Sequence, residues 1–142
     1  MNISDIIKKV CFELEDVNEC IPFVKLIDTS HDLHLFLDNY NWDDGFVIPT
    51  LIANHPKCEM ATAQKLYWLA SADYWFESDE KVSEYNIEHY KFSKLISNRL
   101  LEGYYSLGTQ SNLVTFNRVQ CFKFKKQGFP EVFYTPVIGK NT

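Results

Sequence analysis

At 142 residues, with 46% apolar residues and 23% charged ones, the chain is long enough to bury a core without metal or disulfides and too apolar for a disordered segment. Its net charge of −5 is unevenly spread: residues 1–90 carry 17 Asp/Glu against 6 Lys/Arg, and residues 91–142 carry 2 against 8. An acidic face of that kind repels phosphate, which argues against nucleic-acid binding there, and suits a basic partner.

The first element is predicted to be a helix capped by Asn2 with Asp5 three residues on. Ile3, Ile6, Ile7, Val10, Cys11 and Leu14 follow on one stripe, and Pro22 stops that helix or starts a short second one. Thr29 or Ser30 caps the next helix, whose inner face is Leu33, Phe36, Leu37 and Tyr40. Residues 39–45 form a polar corner around Trp42. Asp43 or Asp44 then caps a piece with Pro49 in its first turn and Ile48, Leu51 and Ile52 inward, and Asn54, His55 and Pro56 end it.

Residues 59–76 surround a helix axis with apolar side chains, Leu66, Tyr67, Trp68, Leu69, Tyr74, Trp75 and Phe76 among them, as in a central helix packed by several neighbours. A dense acidic run follows (Glu77, Asp79, Glu80, Glu84, Glu88), opposed by Lys81 alone. It leads into a long helix with the stripe Tyr85, His89, Phe92, Leu95, Ile96 and Leu100, ended by Gly103 or Gly108. The tail changes character. Residues 113–116, 119–124 and 132–137 are short runs rich in Val, Phe, Tyr and Thr, with a turn-like break at 125–130, and read as a C-terminal β-hairpin or small sheet whose edges carry Pro130 and Pro136. The expected fold class is therefore mainly α (α+β): one domain, with a helical body over 1–108 and a β-rich tail over 109–142.

Catalytic signatures are missing. No Gly-x-Ser-x-Gly, phosphate-binding glycine loop or Cys-x-x-Cys pair occurs, and the four cysteines (Cys11, Cys20, Cys58, Cys121) lie far apart, as expected of reduced, buried thiols. DNYNWDDG invites a calcium reading but fails on register: with Gly45 at the sixth loop position, Tyr40 and Trp42 fall where ligands are needed and Leu51 where a glutamate belongs. His31 and His34 stand three apart with Asp38 a turn beyond, a spacing that can hold a metal, but no third ligand is assured. No cofactor or metal is expected. The N-terminus has acidic residues and no apolar run, so no signal peptide is expected, and no stretch is long enough to span a membrane.

Asn41-Trp42-Asp43-Asp44-Gly45-Phe46, then Pro49, then Asn54-His55-Pro56-Lys57-Cys58 and Thr62-Ala63, resemble a bacterial family, domain of unknown function 4274, over residues 33–76. The resemblance carries no activity with it. It implies a small bacterial cytosolic protein, of a type that includes immunity partners of secreted or contact-delivered toxins. The expectation is thus an immunity protein that neutralises a cognate toxin, basic because many such toxins act on nucleic acid, by direct docking in the cytoplasm. It would bind neither nucleic acid nor membrane itself. Glu77, Asp79, Glu80, Glu84, Tyr85 and Glu88 are the expected surface, with Asp43 and Asp44 second. The alternatives are a small enzyme with a shallow His31/His34/Asp38/Asp43 site, or a non-catalytic adaptor subunit.

Overall fold

The structure, a computed structural model, describes residues 1–140. Its contacts divide the chain into two compact units, Met1–Cys58 and Glu59–Thr142.

The first unit holds α1 (Ile3–Ile7), α2 (Val17–Val24), α3 (Ser30–Phe36) and α4 (Val47–Ala53). Asn2 caps α1 as expected, accepting the Asp5 N–H at 2.9 Å. The predicted stripe then continues through a π-helical stretch, Lys8–Glu13, whose last turn is closed by the Leu14 N–H on the Lys9 carbonyl, five residues back. Ile6 and Val10 are buried. Pro22 neither stops nor starts a helix. Asp16 caps α2 by accepting the Asn18 N–H at 2.9 Å, and Pro22 lies inside α2. The helical bond it forfeits falls on the carbonyl of exposed Asn18, which water can reach. Thr29 caps α3 through the Asp32 N–H, and Leu33, Phe36, Leu37 and Tyr40 are all buried. Neither Asp43 nor Asp44 caps α4: both belong to a 3-10 turn, Trp42–Asp44, and α4 begins after Phe46 without a side-chain cap.

The second unit holds α5 (Met60–Leu69), α6 (Ile87–Glu102), α7 (Arg118–Lys126) and α8 (Glu131–Tyr134). α5 is central: Ala61, Thr62, Ala63, Gln64, Leu66 and Tyr67 are all buried. It stops short of Phe76, because Ser71 takes a left-handed conformation (φ 55°) and the chain re-enters as a 3-10 turn, Ala72–Trp75. That turn is tied to α6. The Trp75 indole N–H, which can only donate, meets His89 Nδ1 at 3.0 Å, so Nε2 carries the ring hydrogen and donates to the Ala70 carbonyl at 2.7 Å. α6 buries Phe92, Ser93, Ile96 and Leu100 and ends at Gly103 (φ 69°), whose left-handed backbone suits glycine. Tyr85, placed by the sequence on the α6 stripe, precedes the helix and is 91% exposed.

The C-terminal β-hairpin or sheet is not there. Among the described residues, the region 109–140 contains one isolated antiparallel bridge, Asn112 to Val137, and two helices. Two physical causes explain the difference. Asn117 and Gln120 form a capping box, Asn117 Oδ1 accepting the Gln120 N–H at 2.8 Å and Gln120 Oε1 accepting the Asn117 N–H at 2.9 Å, so the run 119–124 starts a helix. Three carbonyls of the run 132–137 are met without a neighbouring strand. Gln64 Nε2 donates to the Val132 and Thr135 carbonyls (3.1 and 2.6 Å), and the Trp68 indole donates to Phe133 (2.6 Å). Side chains of α5 thus take the place of a ladder. Aromatic rings close the unit: Tyr67 stacks on Phe133 with centroids 4.3 Å apart, and Phe129 packs against Phe76, Phe124 and Phe133.

Candidate functional site

The acidic run is an ordered loop that presents its carboxylates outward. Asn86 organises it: its Oδ1 accepts the Ser83 N–H at 2.7 Å, and its amide donates to the Lys81 carbonyl at 3.1 Å and to Glu80 Oε1 at 3.4 Å. Ser78 Oγ accepts the Glu80 N–H, and Ser83 Oγ the Tyr85 N–H. Glu77 enters with φ 51°, a left-handed conformation unusual for a residue with a side chain. Glu77, Asp79, Glu80, Glu84 and Glu88 are all exposed. Glu88 faces Lys91 at 3.9 Å, a surface pair of small energy. No ion pair to a described residue neutralises Glu77, Asp79, Glu80 or Glu84. Tyr85, the most exposed of the large apolar side chains, stands among them, with Val82 42% exposed beside it. Five exposed carboxylates on one loop, with exposed Tyr85 and Val82 among them in the chain, make an anionic surface that also carries apolar area.

Asp43 and Asp44, also exposed, lie in the other unit. Their corner is a tight local structure. Asn41 Oδ1 accepts the Asp43 N–H at 3.1 Å, the Tyr40 hydroxyl donates to the Gly45 carbonyl at 2.7 Å, and Gly45 adopts φ 90° with ψ −159°, which a side chain would resist. Trp42 packs edge-on to Tyr40, centroids 5.3 Å apart. Residues 55–58 clasp the loop before α3. His55 Nδ1 accepts the Lys57 N–H at 3.0 Å while Nε2 donates to the Ile27 carbonyl at 2.9 Å. The Lys57 ammonium reaches the Asp28 carbonyl, and the Ser30 hydroxyl donates to the Lys57 carbonyl at 2.8 Å. A comparison with known families matches residues 28–101, just over half of the chain, to DUF4274, a domain of unknown function. The chain belongs to the DUF4274 family. The matched segment runs past both ends of the 33–76 stretch and takes in the acidic loop, while α7 and α8 lie outside it. No curated protein and no solved structure matches the chain. The NWDDGF and HPKC motifs by which it resembles DUF4274 are accounted for, in this structure, by the corner and the clasp.

Asp44 also bears on a cluster of ionisable groups. Burial first, then Cys20 and Asp44, push the half-buried Cys11 thiol up from 9.0 to about 11. Burial and Asp44 push Cys20 and Tyr40 in the same direction. These thiols are held neutral, which suits packing and not nucleophilic attack. His31, exposed, meets Asp32 at 3.3 Å, and α3 ends at Phe36, before Asp38. No group of three His, Cys, Asp or Glu residues suited to a metal ion stands together among the described residues. No helix among them is long and apolar enough to cross a membrane.

The second unit of this DUF4274 protein also holds an apolar groove of about 370 Å³, lined by Met60, Leu107, Val132, Thr135, Pro136, Val137 and Ile138. Among the described residues it gathers no titratable group. Sequence reasoning missed two features outside the acidic loop. One is Gln64, whose Oε1 accepts from the Asn112 amide at 2.9 Å while its own amide serves two carbonyls; a buried amide on a helix has no sequence signal apart from its lack of charge. The other is α7, which the Asn-x-x-Gln capping box could have revealed.

Proposed function

We propose that this protein works by docking: an immunity-type protein of the bacterial cytoplasm that neutralises a cognate toxin by covering it with the ordered loop 77–88. The observation that carries this reading is four exposed carboxylates, Glu77, Asp79, Glu80 and Glu84, with no ion-pairing partner among the described residues, on the same Asn86-held loop as a 91% exposed Tyr85. Unneutralised charge steers a basic partner in, and an exposed aromatic ring supplies the desolvated anchor that interfaces concentrate their energy in. A toxin that acts on RNA or DNA has a basic active site for phosphate, so an acidic surface can stand in for its substrate. Asp43 and Asp44 form a second acidic patch on the other unit.

The test is co-purification with the product of the neighbouring gene, followed by growth rescue of cells expressing that product. A complex whose association rate drops about tenfold or more between low and high salt supports the loop as the contact. Tyr85→Ala should raise Kd by roughly tenfold to a hundredfold, chiefly through faster dissociation. A stable complex with a salt-independent association rate, unmoved by Tyr85→Ala and Glu80→Lys/Glu84→Lys, would exclude this surface.

A further inference from the structure

The most open element in the second unit is α7. Seven of its nine residues are exposed and none is buried; only Cys121 and Phe124 are half-covered. At about 100° per residue, Phe122, Lys126 and Val119 point away from that half-covered pair, with Arg118 and Lys125 on one flank and Lys123 on the other. Phe122 is 66% exposed and Val119 62%. Arg118, Lys123, Lys125 and Lys126 make no ion pair with any described residue, and the sequence has no Asp or Glu between Glu102 and Glu131. The surface is an apolar pair ringed by four unneutralised cations.

We infer that α7 is a docking surface whose occupant is the acidic loop 77–88 of a second copy of this chain. The two surfaces are complementary in charge, and each carries exposed apolar side chains. The loop has five carboxylates against Lys81 alone, together with Tyr85 and Val82; the helix has four cations together with Phe122 and Val119. No ion pair joins them within one molecule, so both are open to a neighbour. A membrane surface fits less well. Two apolar side chains on a nine-residue helix give little to insert into a bilayer. In the self-contact, Tyr85 meets Phe122 and Val119 at the centre while carboxylates and ammonium groups pair around them, the arrangement that excludes water from an anchor.

The experiment is sedimentation velocity on the full chain alone, over a concentration series at low and at high salt. The wild type should self-associate at low salt and return to monomer at high salt, with the association constant falling about tenfold or more. Lys123→Glu/Lys126→Glu and Glu80→Lys/Glu84→Lys should each stay monomeric. Mixed one to one, they should associate again, because the unchanged acidic loop of one still meets the unchanged basic helix of the other. A wild type that stays monomeric at every concentration would overturn the inference, as would association that neither double variant weakens, or variants that stay apart when mixed. Circular dichroism and urea midpoints establish that both variants fold; if one does not, Arg118→Glu/Lys125→Glu or Asp79→Lys/Glu84→Lys takes its place. Binding of wild type, but not of Lys123→Glu/Lys126→Glu, to anionic vesicles or to DNA without self-association would assign α7 to that ligand instead. No toxin is present, so failure here leaves the proposed function standing, and failure of toxin rescue leaves this inference standing.

Discussion

Gln64 has no charge and no reactive atom, yet it saturates both amide hydrogens and its carbonyl on three partners from two segments: Val132 and Thr135 in one, Asn112 in the other. It is fully buried, so water cannot replace any of the three. Gln64→Leu keeps much of the volume and strands two carbonyls and an amide. It should cost about 2 kcal/mol or more, read as a lower urea midpoint at unchanged m-value. Gln64→Glu should cost more still, since it removes both donors and buries a carboxylate against two carbonyl oxygens. Loss of less than about 0.5 kcal/mol in the leucine variant would show that the C-terminal segment does not depend on this residue. The exposed residues are the opposite case. Glu84 touches little and Glu80 accepts only a long Asn86 hydrogen bond at 3.4 Å, so their substitution should leave the midpoint nearly unmoved, which makes them probes of binding.

At the scale of elements, α7 tests how far a local signal decides structure. Val119, Cys121, Phe122 and Phe124 among lysines alternate closely enough to read as a strand, and a helix there leaves Val119 and Phe122 in solvent, against the usual preference. The capping box at Asn117 and Gln120 favours the helix regardless. Asn117→Ala should destabilise α7 by about 1 kcal/mol, seen as faster amide exchange over 118–122 with little change elsewhere. The first hundred residues were more legible because their caps and apolar spacing agree: Asn2, Thr29 and Gly103 act where the pattern places them, and Leu33, Phe36 and Leu37 face inward. The α5 break at Ser71 was not, since a left-handed residue other than glycine leaves no mark in sequence. The acidic loop was legible as charge, but its Asn86 scaffold and the full exposure of Tyr85 were not. A residue just before a helix can share the periodicity of the helix without sharing its burial.

At the scale of the whole molecule, the fold is set against alkaline conditions in two ways. The chain is already acidic at neutral pH, so each further ionisation adds to its self-repulsion. The first unit also keeps Cys11, Cys20 and Tyr40 in their neutral forms, by burial and by the nearby Asp44 carboxylate. The sign follows from linkage. Cys11 titrates at about 11 when folded and at 9.0 in the unperturbed chain, so below pH 9 both states hold the proton and the contribution is complete. As pH rises from 9 towards 11, the unfolded chain releases the proton first and stability drains away. Urea midpoints should therefore be level between pH 7 and 8.5 and decline above pH 9, with the steepest loss before 11. Cys11→Ala shifts the curve down for the lost packing but should flatten its alkaline limb, and Asp44→Asn should flatten it too, by removing the charge that opposes ionisation of all three groups. The discriminating quantity is the slope of midpoint against pH, not the midpoint. A slope the same in Cys11→Ala, Asp44→Asn and wild type would assign the alkaline loss to general charge repulsion and not to this cluster.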